Sequence, residues 1–156
     1  MYDLKVPTVP VQIEILYAGR RALSGQIFLP ALASRHAGAT RPDEWFNDAP
    51  EFFPFLETGA NRAVVLSKHH VVLVSIPFSP EMAITQEEEG LMREVAVECG
   101  ELKLDGTLLL KVPGPESRVS DYLNGAGGKF VPMWHNDWFH LIRKDAITRI
   151  VETEEN

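Results

Sequence analysis

The sequence predicts a mainly β protein in which two small five-stranded barrels follow one another, each with a short helical insertion. Segments such as VQIEILYAG (11–19) and REVAVECG (93–100) alternate apolar and polar residues, as half-buried strands do. Three sequence blocks also recur in the same order along the chain, with length changes only between them. The 156 residues are therefore expected to form two related β units.

The clearest repeated block runs from an arginine through an asparagine to a proline. RPDEWFNDAPEFFP (41–54) parallels RVSDYLNGAGGKFVP (118–132). The matched pairs are Arg41 with Arg118, Trp45 with Tyr122, Phe46 with Leu123, Asn47 with Asn124, Pro54 with Pro132, and, outside the block, Gly25 with Gly106 and Lys68 with Lys144. The period of about 76–81 residues indicates an internal duplication into two domains rather than an array of short repeats.

The expected domain boundaries follow from these blocks. We predict an N-terminal extension over residues 1–10, a first barrel over 11–77, a linker over 78–91, a second barrel over 92–152 and an acidic tail over 153–156. The linker sequence SPEMAITQEEEGLM (79–92) favours a short helix with Ser79 as its N-cap and Pro80 at its first position, ended by Gly90.

Within each unit the elements are expected in a fixed order. The second strands, 22–29 and 102–111, contain Gly25 and Gly106, which suggest a bulge or a sharp bend. A helical turn follows, with Pro42 at the first position in unit one and Gly125 after the last turn in unit two. Its aromatic and apolar residues are expected to insert into the core. A third strand and a tightly joined final hairpin complete the unit.

Composition and charge narrow the class of protein. The chain is 45% hydrophobic and 24% charged, as soluble domains are, and no apolar run approaches the roughly 20 residues that span a bilayer. No secretory signal is visible, and the single cysteine, Cys99, excludes an intrachain disulfide, so we expect a cytoplasmic location and no membrane partner. Residues 1–80 hold 7 basic and 7 acidic side chains, and residues 81–156 hold 8 and 15. This acidic excess disfavours nucleic acid as a partner.

The glycine-rich stretch around Lys129 does not fit a phosphate-binding loop. That motif needs a glycine five residues before the Gly-Lys pair and a hydroxyl residue after it. Leu123 and Phe130 stand at these positions, and Pro132 would interrupt the following helix. The glycines are better explained as a tight connection between two elements.

Catalytic and metal-binding patterns are weak. His135 and His140 lie five residues apart and form a conceivable but unfavoured metal pair, because no cysteine or carboxylate ligand stands at zinc-like spacing. Ser24 lacks the first glycine of a nucleophile elbow. We therefore predict no cofactor, no metal and no enzymatic activity. The recurrence of Arg41 and Arg118 suggests a shared structural role, such as bonding backbone carbonyls of the bent sheet, with an anion site as the alternative.

The order of elements resembles the Sm/LSm-like small β-barrel family. HLIRKDAITRI (140–150) fits the family's second motif, an apolar strand, a basic residue and a strand with spaced Ile or Val, and VVLSKHHVVLV (64–74) fits it less well. The first motif is loosely met by IEILYAGRRALSGQIFL and VAVECGELKLDGTLLL. The R-x-S-D-Y-L-N block before an F-x-P strand is also similar to uncharacterised bacterial proteins, a likeness that implies no activity.

The resemblance implies association through sheet edges, and its RNA pocket does not carry over. Sm-like RNA sites use an Asp and an Asn between strands two and three and a basic-Gly pair in the last hairpin. Here a long insertion replaces that loop, and the hairpins carry Ser67-Lys68 and Arg143-Lys144 without glycine. Lys68, Arg143 and Lys144 remain candidate hairpin contact residues.

The resulting hypothesis is a non-enzymatic protein-interaction or scaffolding module that binds a protein partner or itself. The apolar strands AVVLS and VVLVSI should not remain an open edge, so Val65, Val72 and Val74 are the candidate interface residues, covered either by unit two or by another copy. The first alternative is an RNA-binding tandem Sm-like protein. The second is a small-ligand or enzymatic site in the cleft between the units.

Overall fold

The computed structural model describes residues 7–18, 21–31, 40–48, 50–83, 91–110, 118–125 and 128–153. The strands are Thr8–Tyr17 (β1), Arg21–Pro30 (β2), Phe52–Glu57 (β3), Arg62–Ser67 (β4), Val71–Pro77 (β5), Leu91–Cys99 (β6), Leu102–Leu110 (β7), Phe130–His135 (β8), Trp138–Arg143 (β9) and Arg149–Glu152 (β10). Two short helices, Pro42–Asn47 (α1) and Val119–Asn124 (α2), occupy the repeated block, so the predicted mainly β fold with short helical insertions is confirmed.

The ten strands form a single antiparallel sheet in the order β10-β6-β7-β8-β9-β5-β1-β2-β3-β4. The first half of the chain (β1–β5 and α1) contributes the order β5-β1-β2-β3-β4, and the second half (β6–β10 and α2) contributes β10-β6-β7-β8-β9. Numbered within its own half, each set therefore reads 5-1-2-3-4. The halves are joined by pairing between β5 and β9, and the sheet is continuous where two separate barrels were expected.

The buried residues form two hydrophobic cores, one mainly in each half. The first core is Ile13, Ile15, Ile27, Leu29, Phe46, Phe53, Phe55, Leu66, Val71, Val74, Ile76, Met82, Phe130, Phe139 and Leu141. The second core is Leu73, Val95, Val97, Leu108, Leu110, Val119, Val131, Met133 and Ile142. Because Phe139 and Leu141 belong to the first core and Leu73 to the second, the strands at the junction supply residues to both.

The glycines in the second strands permit a close approach of the third strand. A Cβ on Gly25 would collide with the carbonyl oxygen of Leu56 and with the Phe55 ring. A Cβ on Gly106 would lie 2.7 Å from Cγ of Met133. The pairing of β1 with β2 runs through Gly25 without a register shift, so this strand contains no bulge there, and the glycine serves close packing instead.

The helical block begins as its sequence indicates. Arg41 is the N-cap of α1, Pro42 occupies the first turn, and the carboxylate of Glu44 accepts a hydrogen bond from the Arg41 N–H at 3.0 Å. Gly125 follows α2 as its C-cap. These six-residue helices are too short to be stable alone, and they are held by packing of Phe46 and Val119 into the cores.

The linker begins with a 3₁₀ turn at the predicted position, Pro80–Met82 with Ser79 as N-cap. Leu91 and Met92, which follow the predicted helix end at Gly90, belong to β6. The rest of the predicted linker helix, 84–90, lies outside the described residues, as do 1–6 of the N-terminal extension and 154–156 of the acidic tail. In addition, β1 begins at Thr8, three residues earlier than expected.

Candidate functional site

The junction between the two halves is built by five consecutive residue pairs of β5 and β9. These pairs are Leu73–Ile142, Val74–Leu141, Ser75–His140, Ile76–Phe139 and Pro77–Trp138. Val74, Ile76, Leu141 and Phe139 are at most 1% exposed, so this edge of the first half is fully closed by the second half. From the sequence, the edge at β5 was expected to be covered either by the second half of the chain or by another copy of the chain. In the structure the second half covers it.

A second contact ties helix α1 to the other half. The side-chain amide of Asn47, the last residue of α1, bonds the N–H and the carbonyl oxygen of Phe130 at the start of β8. The ring of Phe46 meets the ring of Phe130 with centroids 5.5 Å apart. The asparagine of the repeated block in the first half therefore binds the second half of the chain.

A cavity of about 600 Å³ lies beside this contact. Its lining comes from α1 and the segment after it, from the 3₁₀ turn Lys68–His70, from the start of β8 and from the end of β9. Basic side chains (Lys68, His69, Lys129 and Arg143) and acidic ones (Asp48, Glu51 and Asp145) line it together. The charges are therefore mixed, and some are already paired: Nζ of Lys129 lies 3.8 Å from Oε2 of Glu51.

Lys68 is buried and has an internal function. Lys68 is 5% exposed, and its Nζ donates hydrogen bonds to the carbonyl oxygens of Trp45 and Asp48, each at 2.8 Å. The ammonium also lies 4.9 Å from the centroid of the Trp45 ring. Loss of solvation lowers the pKa of Lys68, and the nearby carboxylates of Asp48 and Glu51 oppose that shift. Lys68 thus caps the carboxyl end of α1 instead of facing a partner.

The second hairpin also carries a basic pair. Nε of Arg143 donates to the carbonyl oxygen of Val71 at 2.8 Å, and its guanidinium lies 3.6 Å from the Asp145 carboxylate. Lys144, the partner of Lys68 in the repeat, begins the 3₁₀ turn Lys144–Ala146 and is partly exposed. Arg143 therefore stabilises the junction between β5 and β9.

The two repeated arginines occupy equivalent places with different surroundings. Arg41 precedes α1, pairs with Asp43 at 3.1 Å and donates to the carbonyl oxygen of Ala83 at 3.3 Å, which anchors the start of the linker. Arg118 precedes α2 as its N-cap and is exposed. Arg41 therefore bonds a backbone carbonyl of the linker, whereas the shared role suggested for the two arginines was to bond carbonyls of the sheet.

The two ends of the sheet carry exposed apolar side chains. Within the described part of the chain, β4 pairs with β3 alone and β10 pairs with β6 alone. Val65 on β4 is 70% exposed, Phe52 beside it on β3 is 63% exposed, and Val151 on β10 is 38% exposed. Of the three candidate interface valines, Val65 lies at a free edge, Val72 packs against the second core and Val74 is fully buried at the junction.

The four described histidines, His69, His70, His135 and His140, do not assemble into a metal site. Over the described ranges, no group of three or more His, Cys, Asp or Glu side chains is placed to hold a metal ion. Nδ1 of His140 lies 2.9 Å from Oγ of Ser75 across the junction, and the Trp138 ring stacks on the imidazole. Desolvation, followed by the charge of His135, lowers the pKa of His140.

Cys99 lies beside a second cavity, of about 560 Å³, which also touches Leu16, Tyr17 and Val72. Burial raises the pKa of the Cys99 thiol, with a smaller opposing effect from Arg143. The thiol is therefore held in its protonated and less reactive form.

Two contacts of the junction were not predicted from the sequence. The recurrence of Asn47 and Asn124 was the available signal for the first, but a repeated asparagine does not identify its bonding partner. No sequence pattern indicated the contact between Ser75 and His140, because the residues are 65 positions apart and only the pairing of β5 with β9 brings them together.

No family model matches the chain, and no curated protein or solved structure matches it either. Among the described residues, no helix is long and apolar enough to cross a membrane.

Proposed function

We propose that this chain is a non-enzymatic protein-interaction module built from two Sm-like units, and that it acts through the sheet edges at β4 and β10, which no further strand among the described residues covers. The observation that carries the proposal is the contrast between equivalent edges. The edge at β5 is closed by β9, whereas β4 and β10 present exposed apolar residues such as Val65 and Val151. Exposed edge strands with apolar side chains favour pairing with another chain.

The Sm-like assignment is supported by four features that both halves share. Each half has the strand order 5-1-2-3-4, a helix between its second and third strands, and a 3₁₀ turn between its fourth and fifth. Each half also has a glycine where the third strand approaches the second, at Gly25 and Gly106. Such a close approach suits a strongly bent sheet, and we propose that each half curls into a small barrel that arose by duplication.

The alternative of RNA binding draws less support from the hairpins. RNA contacts need accessible cations. Lys68 is 5% exposed and donates to two carbonyl oxygens, and Arg143 is engaged by Val71 and Asp145. Affinity for oligo-U or oligo-A RNA at two salt concentrations tests this alternative, and binding that weakens steeply with salt would favour it over the edge proposal.

The cavity of about 600 Å³ between the halves supports a second candidate function, the binding of a small ligand with both charge signs. Lys129 and His69 on one side and Asp48 and Glu51 on the other would suit such a ligand, which would displace the ion pair between Lys129 and Glu51. A screen of zwitterionic metabolites by thermal shift tests it. A hit counts for this function if Lys129→Ala abolishes the shift, and a screen without any such hit counts against it.

A photo-crosslinking experiment tests the edge proposal directly. A benzoylphenylalanine placed at Val65 in the full chain should form adducts with protein in the cell that produces it. The same group at Phe28, which is 38% exposed on β2 away from both sheet ends, serves as the matched control and should react far less. Equal labelling at the two positions, or no adduct at Val65, contradicts the proposal.

A further inference from the structure

We infer that a groove along β1 binds a free aliphatic amine, with the ammonium at Glu14 and the chain extending over Leu16 toward Cys99. This inference does not depend on the sheet edges at β4 and β10. One end of the groove, the Glu14 cavity, has a volume of about 310 Å³. The other end, the Cys99 cavity, is the one of about 560 Å³ already described, and Leu16 lines both.

The polar residues of the Glu14 cavity form a row across three strands. Ser24 on β2 pairs with Glu14 on β1, and Glu14 pairs with Ser75 on β5. The residues on either side of Glu14, Ile13 and Ile15, are buried in the first core. Because successive side chains of a strand point to opposite faces, the whole row lies on the face away from that core. The Glu14 carboxylate is therefore flanked by two hydroxyl groups.

The second half of the chain has no such row at the equivalent place. Glu14 and Ala96 both follow the residue that pairs with the repeated glycine of the second strand. Ala96 pairs with Val151 just as Glu14 pairs with Ser75. A fold that accepts Ala and Val at these positions does not require a carboxylate and a hydroxyl there. This difference favours a ligand-binding role for Glu14 and Ser75.

The charge of the Glu14 cavity selects a cation. Glu14 is exposed, and within the described part of the chain its carboxylate makes no hydrogen bond or ion pair. The described lining contains no basic residue, and the net charge of the chain is −7. A primary ammonium has three N–H donors, which match the Glu14 carboxylate and the hydroxyl oxygens of Ser24 and Ser75.

His140 orients the Ser75 hydroxyl from the other side. Nδ1 of His140 lies 2.9 Å from Oγ of Ser75. Burial, followed by the charge of His135, lowers the pKa of His140, so the imidazole is neutral at pH 7 and adds no positive charge beside the amine. In the proposed complex the ring proton is on Nε2 and Nδ1 accepts the Ser75 hydrogen, which leaves the lone pairs of Oγ for the ammonium.

The length of the groove specifies the chain of the amine. From Glu14 to Tyr17, which lines the Cys99 cavity, the strand advances about 10 Å at about 3.4 Å per residue. An extended chain advances about 1.2 Å per bond, so about eight carbons reach from the carboxylate into the Cys99 cavity. The four-carbon stem of a lysine is too short. The occupant is therefore a free long-chain amine and not a lysine side chain of a partner protein.

The Cys99 cavity offers the apolar surface that such a chain needs. Leu16, Val72 and Leu102 line it, and each packs against the second core while still partly exposed. Burial of the chain against these side chains is the main driving force, and each added methylene should tighten binding about two- to fourfold.

Titration of the full chain with alkylamines, followed by amide NMR shifts, tests the inference. Octylamine, kept below its micelle concentration, should shift the amides of Glu14, Leu16, Ser75 and Leu102 and bind more than about tenfold tighter than butylamine. Octanol, which has the same chain without the charge, should bind about fivefold more weakly than octylamine. Octylamine shifts that do not saturate overturn the inference, as does an octylamine affinity equal to that of octanol or of butylamine.

Two carboxylate variants separate a specific site from general attraction to an acidic protein. Glu14→Gln should weaken octylamine about fivefold, leave the affinity for octanol unchanged and, because Glu14 is exposed, keep the melting temperature of wild type. Asp105→Asn is the matched control. It removes the exposed carboxylate that pairs with Ala96 and lines neither cavity, so it should bind octylamine like wild type. Equal losses in the two variants overturn the inference.

Cys99 reports on the other end of the groove. Its free thiol lines the cavity, so bound octylamine should slow its reaction with N-ethylmaleimide at pH 7, and butylamine should not. Unchanged reactivity with saturating octylamine overturns the placement of the chain.

N-acetyl-lysine amide tests the other source of an alkyl ammonium. It should bind as weakly as butylamine, because its stem does not reach the Cys99 cavity. If it binds as tightly as octylamine, the groove recognises a lysine side chain and the inference of a free amine is overturned.

Discussion

Asn47 holds both backbone polar groups of Phe130: Nδ2 donates to the carbonyl oxygen at 3.1 Å, and Oδ1 accepts from the N–H at 2.7 Å. The residues are 83 positions apart and belong to different halves of the chain. An amide side chain thus acts like one more strand residue at the start of β8. This contact and the pairing of β5 with β9 make the two halves one folding unit.

Asn47→Ala should destabilise the whole chain. The variant leaves the N–H and the carbonyl of Phe130 without their partner, so we expect a loss of about 1–3 kcal/mol in the free energy of unfolding. Urea denaturation of the monomeric form measures it, and the exposed Asn124 provides the control, since its replacement by Ala should cost less than about 0.5 kcal/mol. Equal effects of the two substitutions would contradict the role of Asn47.

Replacement of Lys68 should lower the free energy of unfolding more than replacement of Lys144 does. Lys68→Met removes the donor to the carbonyl oxygens of Trp45 and Asp48 while it keeps most of the buried stem, so a loss of about 1–3 kcal/mol is expected. Lys144→Met changes a partly exposed side chain and should stay within about 0.5 kcal/mol. Chemical denaturation measures the free energy of unfolding of both variants. A stabilised Lys68→Met would mean that relief of the buried charge outweighs the lost hydrogen bonds.

Local patterns predicted the elements better than their assembly. Alternation of apolar residues located the strands, and the capping sequence around Pro42 located α1, because both signals depend on neighbours along the chain. Pairing of β5 with β9 depends on residues about 70 positions apart, such as Val74 and Leu141. The sequence of neither strand shows which strand it pairs with. The continuous sheet was therefore not predicted, although the apolar edge correctly indicated that something must cover β5.

Local sequence patterns also did not predict how the residues of the candidate site are placed. Lys68 was noticed because it recurs at a hairpin, and a basic residue there suggested contact with a partner. Its burial follows from the folding of α1 over the end of β4, which places two carbonyl oxygens within 2.8 Å of Nζ. A sequence repeat indicates that a position matters, and the structure is needed to show whether its side chain faces inward or outward.

Gly25 should not tolerate alanine, because backbone and ring atoms of β3 fill the space beside it. An added Cβ meets the Leu56 carbonyl and lies 2.7 Å from the Phe55 ring, and neither can move without shifting β3. Gly25→Ala should cost about 3 kcal/mol in thermal or urea unfolding. Gly125→Ala, whose Cβ comes no closer than 3.3 Å to another atom, is the control and should be nearly neutral. Similar losses for both variants would contradict the close approach of the third strand.

His140 should make the junction sensitive to acid. Burial lowers the pKa of His140 below its usual value of 6.5, so the unfolded chain takes up a proton there at a higher pH than the folded chain does. The stability linked to His140 is therefore complete above about pH 6.5 and is lost as the pH falls from there toward the lowered folded value, by at most about 1.4 kcal/mol per pH unit.

Urea denaturation at pH 7.5 and pH 5.5 measures this dependence. His140→Gln retains a polar group opposite Ser75 but cannot titrate, so the difference between its midpoints at the two pH values should be smaller than in wild type. The other ionisable groups are the same in both proteins, so the comparison isolates the contribution of His140. If His140→Gln loses as much stability on acidification as wild type, the junction histidine does not carry the effect.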